Sequence, residues 1–416
     1  MHPSPTPARA GSPQGKLAGH AALVSHRADD EHAEQPSEAA RKGVGDVSEL
    51  VGRLLLDGAF VPGSVSYDHG RILAVERLAR VPDDAPLVAP GLVDLHVHGY
   101  AGCDPYEDLP GLSRALASVG TTAFLPTLFP DTPARLGKDA QRIWERRDDC
   151  AGGARVLGLH LEGPFVNPKR AGGLPADRLH EPSPAALRAL LGSSTAEGRG
   201  IRQLTVAPEL SGADDLIREL TTLGVRTSLG HSVASASDAG RACACGARGA
   251  THLFNAMNGV HHRDASLANF ALAEDALVAE LIGDLVHVGP TAVKLALRAR
   301  GPHGLALVSD ALKGAAQPGA EFESHGKRCQ VRGGAIWLVG EEPPRLTGAE
   351  ACQLEAVRRL VRAGVTDAAT ALTMASATPA RALGLAHELG HLVPGARADL
   401  LALDPDTLEL RAVHVG

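Results

Sequence analysis

The chain has 416 residues, 44% of them hydrophobic, enough to bury a sizeable core in one large domain or two ordinary ones. Its formal net charge is −7 and it has no run of clustered Lys/Arg, which argues against a nucleic-acid or membrane-surface partner and requires any anionic substrate to meet a local positive site. Cysteines at 103, 150, 243, 245, 329 and 352 lack the density and paired spacing of a disulfide framework or zinc knuckle, so a reducing cytoplasm is expected.

Residues 1–46, rich in Pro, Ser, Ala and charge, read as a disordered tail or an over-extended start of translation. They lack the order of a secretion signal, and no apolar run reaches the length of a membrane span. From 47 to 89, the runs "RLLLDGAF", "SVSYDHG" and "RILAVERL", punctuated by Gly, Pro and Asp, predict the first part of a small β domain. From 90 to 385, apolar strands such as "LVDLHVHG", "TTAFLPTL", "ARVLGLHLEG", "IRQLTVAPE", "VRTSLGHS", "GATHLFNAM" and "GLALVSDAL" alternate with Ala/Leu/Arg-rich helical stretches. At least seven such βα units predict a TIM-like (β/α)8 barrel rather than an open doubly wound sheet. Residues 386–416 return to turn-punctuated strands and are expected to complete the small domain as a discontinuous β-sandwich. Cys243 and Cys245 in "ACACGARG" read as small buried helical residues, not a redox pair.

Polar residues recur at the ends of the barrel strands. In "LVDLHVHG" an extended backbone puts His96 and His98 on one face with Val97 turned away. His160 and Glu162 close "VLGLHLEG", His231 closes "TSLGH", His252 follows "GAT" and Asp310 ends "LALVSD". Each has a plainer reading: Glu162 as the cap of a turn, His231 as a hydrogen-bonded core histidine, Asp310 as a helix N-cap. Their shared address at the C-terminal ends of successive strands points instead to convergence on a divalent metal. A rival is "LGHSVA" as a nucleophile elbow, with Ser232 the nucleophile of a serine hydrolase. It leaves Glu162, His252 and the His-x-His without a role, and Ser232 reads better as a helix N-cap. A third class is a catalytically dead barrel used for assembly.

The segments "PGLVDLHVHG", "LGLHLEGPFVNP", "LGHSVA", "THLFNAMNGVHHR", "LIGDLVHVGP", "LVSDALKG" and "GHLVPGARADLLALD" together resemble the N-acetylglucosamine-6-phosphate deacetylases of the amidohydrolase superfamily. The resemblance implies hydrolysis of the acetamide of N-acetylglucosamine 6-phosphate to glucosamine 6-phosphate and acetate; the alternative is another N-acyl sugar or amide. It implies a catalytic divalent metal (zinc, iron, cobalt or manganese) on Glu162, His231 and His252, with His96 and His98 as weaker ligands able to hold a second ion. Asp310 matches the acid/base and His287 a histidine that touches the substrate. Asn255 and Ala256 match contacts to the sugar phosphate, and Leu346, Thr347 and Gly348 a loop that closes over it. Arg263 matches an arginine that reaches the neighbouring subunit's substrate, implying a homodimer; the plainer reading is a surface arginine paired with Asp264. The chain departs from the family where "KGAH" is usual: it reads "RAGGL", placing Gly173 and Leu174 there. "HHRDAS" and "DLVHVGP" also depart from the usual "HHREPG" and "DGIHVHP", and these differences bear on the exact sugar.

Overall fold

The computed structural model describes residues 47–416, so the tail expected at 1–46 lies outside the described residues. In chain order the strands are β1 (Ser48–Leu56), β2 (Ala59–Asp68), β3 (Arg71–Arg77), β4 (Leu87–Pro90), β5 (Leu92–Val97), β6 (Thr121–Leu128), β7 (Arg155–Val156), β8 (Leu159–Leu161), β9 (Ile201–Val206) and β10 (Arg226–Leu229). They continue with β11 (Gly249–Ala250), β12 (Val278–Ile282), β13 (Leu305–Val308), β14 (Glu321–Ser324), β15 (Lys327–Arg332), β16 (Ala335–Leu338), β17 (Leu346–Ala349), β18 (Leu400–Leu403) and β19 (Leu410–His414).

Strands β5, β6, β8, β9, β10, β11, β12 and β13 pair in that order, all parallel, with β7 beside β6. The two ends of this sheet meet through Asp310 N–H, which donates to His96 O at 2.8 Å, and His98 N–H, which donates to Ala311 O at 2.9 Å. The expected (β/α)8 barrel is therefore present. Alternation explains its two faces. Val93 and Leu95 of β5 turn outward with Ala123, Leu125, Ile282 and Val308 against Ala380 and Leu383, whereas His96 turns inward. The seventh barrel strand, β12 in "VAELIGD", escaped the sequence reading because its apolar run is interrupted by Glu280.

Strands from 48–90 and 400–414 join in one six-stranded sheet of order β19-β18-β4-β1-β2-β3. A tight turn at Asp57 (φ 50°) and Gly58 (φ 80°) sets the β1–β2 hairpin, and Leu54, Val65, Ile72, Val88 and Leu400 form the sheet's core.

A third sheet, β14-β15-β16-β17, is inserted after β13 and was not anticipated. Its hairpins turn at His325–Gly326 and Gly333–Gly334, all at positive φ. Two-residue turns of this hand match the twist of paired strands, so "HG" and "GG" were the signals for it. The expected loop at Leu346–Gly348 is strand β17, held against β16.

Among the described residues, no helix is long and apolar enough to cross a membrane. All six cysteines are free, and Cys243 and Cys245 lie in the helix Ala236–Cys245.

Candidate metal centre and substrate cleft

The polar residues singled out from the sequence stand just past the C-terminal ends of their strands: His98 after β5, Glu162 after β8, His231 after β10, His252 after β11, His287 after β12 and Asp310 after β13. Three of them leave the strand in the left-handed region, His231 at φ 47°, His252 at φ 30° and Asp310 at φ 51°. Non-glycine residues rarely adopt this region outside tight turns, and such conformations recur at functional sites.

Glu162 Oε1 lies 2.9 Å from His231 Nε2 and 3.0 Å from His252 Nε2, and the two imidazole nitrogens are 2.9 Å apart. His231 Nδ1–H donates to the carbonyl of Arg170 at 2.7 Å, which leaves Nε2 as the lone-pair nitrogen. A carboxylate oxygen and two imidazole nitrogens thus crowd together with too few protons to bridge them. A cation satisfies all three, so the donor set fits a divalent metal.

Glu162 Oε2 accepts from His98 Nε2 at 3.0 Å, His98 Nε2 lies 3.2 Å from His96 Nε2, and Asp310 Oδ1 stands 3.3 Å from His96 Nε2. Two groups able to hold an ion therefore adjoin, Glu162–His231–His252 and His96–His98–Asp310, with Glu162 touching both. Burial pushes the Glu162 carboxyl up, but the imidazoles of His96 and His231 outweigh it and hold it well below the ordinary carboxylate range.

His160 does not join either group. It sits inside the barrel with Nε2 2.8 Å from Thr205 Oγ1 and Nδ1 3.3 Å from Thr127 Oγ1, and it meets the His96 ring edge-on at 4.6 Å. Burial, then the nearby His96, push it well below its ordinary pKa, so it is a neutral hydrogen-bonding residue beneath the site.

His96 is backed by a buried network the sequence reading missed. Its Nδ1 lies 3.4 Å from Glu280 Oε2, while Glu280 Oε1 accepts from Gln203 Nε2 at 2.7 Å and stands 3.6 Å from Arg226 Nη1. Asp284, also missed, accepts from His287 Nδ1–H at 2.7 Å. Burial lowers the His287 pKa, but the Asp284 carboxylate outweighs it and raises the imidazole above its usual value.

A cleft of about 470 Å³ opens over these groups, and Asn255, Ala256, Leu346 and Thr347 face it along with Trp337 and Leu174. Gly348 is buried behind it, where a Cβ would lie 2.9 Å from Asp310 O. Arg263 is exposed, with its Nη1 2.8 Å from His262 Nε2, and does not line the cleft. Nor does it pair with Asp264, whose carboxylate is 3.1 Å from His261 Nδ1.

The serine-hydrolase alternative fails on geometry. Ser232 is fully buried, and its hydroxyl donates to Glu209 Oε2 at 2.7 Å and accepts from Ala234 N–H at 2.9 Å, leaving no histidine to activate it. The cap of the following helix is Ser235, which forms a capping box with Asp238; Ser232 is not the cap. Asp310, likewise, caps no helix.

With a (β/α)8 barrel carrying imidazoles and carboxylates at its C-terminal mouth, the chain belongs to the amidohydrolase family, whose model matches residues 87–414. Within that family it falls with the N-acetylglucosamine-6-phosphate deacetylases. It is 32% identical over 349 residues to the N-acetylglucosamine-6-phosphate deacetylase of Vibrio furnissii, covering 82% of this chain and 86% of that one. It is 35% identical over 325 residues to the N-acetylgalactosamine-6-phosphate deacetylase of Escherichia coli, covering 77% and 84%. Among solved structures, a Mycobacterium smegmatis N-acetyl-D-glucosamine-6-phosphate deacetylase mutant in complex with N-acetyl-D-glucosamine-6-phosphate superposes with a TM-score of 0.79 at 27% identity, covering 89% of this chain and 98% of that one.

Proposed function

We propose that the protein is a metal-dependent deacetylase that converts N-acetylglucosamine 6-phosphate and water to glucosamine 6-phosphate and acetate. The observation that carries this reading is the meeting of Glu162, His231 and His252 within 3.0 Å of one another, beside Asp310, in a chain whose relatives deacetylate phosphorylated N-acetylhexosamines. Glu162, His231 and His252 hold the catalytic ion, and His96 and His98 can hold a second. A divalent ion bound there lowers the pKa of water toward neutrality and polarises a carbonyl.

The side chains do the rest. Asp310 accepts the proton of the attacking water and returns it to the nitrogen, which must leave as an amine because an amide anion is too basic to expel. His287, oriented by Asp284, whose carboxylate favours the protonated ring, donates to the carbonyl oxygen as negative charge develops on it. Asn255 and Ala256 position the sugar, and Leu346, Thr347 and Gly348 wall the cleft. Arg263 acts on the substrate of the neighbouring subunit in a homodimer, and its exposure outside its own cleft suits that role. The free cysteines suit a cytoplasmic enzyme.

A second reading, N-acetylgalactosamine 6-phosphate as substrate, is favoured by the 35% identity to an N-acetylgalactosamine-6-phosphate deacetylase. Acetate release from the two phosphorylated sugars and from unphosphorylated N-acetylglucosamine, measured side by side, tests both. Turnover of N-acetylglucosamine 6-phosphate with the highest kcat/KM is expected; no turnover of either phosphorylated sugar overturns the reading.

A further inference from the structure

The strand segment "IRQLTVAPE" ends on Glu209, a half-buried residue just past β9 that does not line the cleft. Its carboxylate meets three donors at once. Oε1 accepts from Asn167 Nδ2–H at 2.9 Å and from Val233 N–H at 2.7 Å, and Oε2 accepts from the Ser232 hydroxyl at 2.7 Å. An ionised carboxylate, with two oxygens and no proton to donate, is the side chain that suits three converging donors, and its charge strengthens each bond. Asn167 lies in the loop after β8, which also carries Glu162, whereas Ser232 and Val233 lie in the loop after β10, which carries His231. One carboxylate from the β9 end therefore ties together the loops on either side of it.

Each of these contacts leads to His231. Ser232 and Val233 follow it directly, so anchoring them holds His231 in the left-handed conformation at φ 47°. Asn167 N–H donates to the His231 carbonyl at 2.9 Å. Asn167 Oδ1 accepts from Lys169 N–H at 2.9 Å and so caps the turn Pro168–Arg170. That turn ends on the Arg170 carbonyl, the acceptor of His231 Nδ1–H at 2.7 Å. The main chain of His231 and the acceptor of its ring are thus both held by way of Glu209. The loop after β11 rests on the same frame, with Ser232 N–H donating to Ala256 O at 3.0 Å and Asn258 Nδ2–H to Val233 O at 3.2 Å.

We propose that Glu209 is a positioning residue of the metal centre: it clamps Asn167 against Ser232 and Val233, and through them aims His231 Nε2 at the ion shared with Glu162 and His252. The inference rests on the functional reading above, which gives the ion to those three residues. Outer partners that orient a ligand ring govern metal affinity without touching the metal, and their loss typically costs about 10–100-fold in affinity.

The test is zinc binding by chelator competition on the full chain, for the wild type, Glu209→Ala, Asn167→Ala and the double variant, with folding checked by circular dichroism and stability by denaturation. Glu209→Ala is expected to weaken zinc binding about 10–100-fold, and the double variant to bind no more weakly than Glu209→Ala, because both changes break one clamp. A merely structural role would lower stability and leave the affinity of the folded protein within about twofold of wild type, which overturns the proposal, as do losses that multiply in the double variant. Should Glu209→Ala not fold, Asn167→Ala decides: a loss of about tenfold supports the clamp and an unchanged affinity overturns it. If the wild type binds no zinc, the functional reading fails, and nitrogen NMR of the His231 ring, assigned with His231→Gln, decides the positioning alone. A ring protonated at Nδ1 in the wild type and mixed between tautomers in the variants supports it, and identical spectra overturn it.

Discussion

His231 is aimed by Arg170: the imidazole Nδ1–H donates to the Arg170 carbonyl at 2.7 Å, which turns Nε2 toward Glu162 and His252. The guanidinium of the same residue donates to Asn258 Oδ1. One short segment, 168–174, therefore orients His231, a proposed metal ligand, through its backbone and walls the cleft with Gly172, Gly173 and Leu174. Disturbing the segment should affect both.

Gly173 is the place to disturb it. A Cβ there would stand 2.2 Å from Thr347 Oγ1 and 3.2 Å from Thr347 Cα, so the loop and β17 cannot keep their present approach. Gly173→Ala is expected to lower kcat/KM about tenfold, and adding Thr347→Gly should restore part of the loss in a double-mutant cycle. Additive effects in steady-state kinetics would show that the two residues do not act through this contact.

Asp310→Asn keeps the shape of the side chain and removes its basicity. Turnover is expected to fall about 10²–10⁴-fold, the usual contribution of a positioned acid/base, with the ion on Glu162, His231 and His252 retained by elemental analysis. Near wild-type kcat with metal bound would refute the assignment.

The pair His287–Asp284 gives a pH signature. The folded pKa of His287 lies above its ordinary value of 6.5, so the pair contributes fully to stability below that pH and its contribution is lost as pH rises through the folded value. Asp284→Asn should therefore cost about 1.5–3 kcal/mol at pH 6 and much less at alkaline pH, as read by chemical denaturation. It should also move the alkaline limb of the kcat profile to lower pH. A destabilisation independent of pH, with an unmoved limb, would contradict the role given to Asp284.

Glu280 is fully buried against Arg226, whose side chain is 8% exposed. Glu280→Leu leaves Arg226 without its carboxylate and His96 without a partner for Nδ1. A loss of about 3–5 kcal/mol in denaturant unfolding is expected, and removing Arg226 as well should recover part of it. A loss below about 1 kcal/mol would mean that the pair is solvated rather than buried.

The barrel and the polar cluster at its mouth were legible in the sequence because both leave periodic marks. Apolar runs alternating with helical stretches announced the strands, and Glu162, His231, His252 and Asp310 announced themselves by recurring where those runs stop. Residues that act from beneath were not legible. Glu280 and Gln203 lie within strands, where their polarity only blurs the apolar pattern, and their pairing with Arg226 and His96 spans up to 184 residues of sequence. The inserted sheet was hidden for another reason: its strands are four to six residues long and partly exposed, so only the glycine turns stood out.

The central claim is that Glu162, His231 and His252 hold one ion that makes the acetamide hydrolysable. It is tested most directly by titrating the chelated protein with a divalent metal while acetate release from N-acetylglucosamine 6-phosphate is followed, for the wild type and Glu162→Gln. Activity in the wild type should return in proportion to the first bound equivalent, and the variant should neither retain that equivalent nor release acetate. Full activity after chelation, or a variant that hydrolyses the sugar without the ion, would contradict the account.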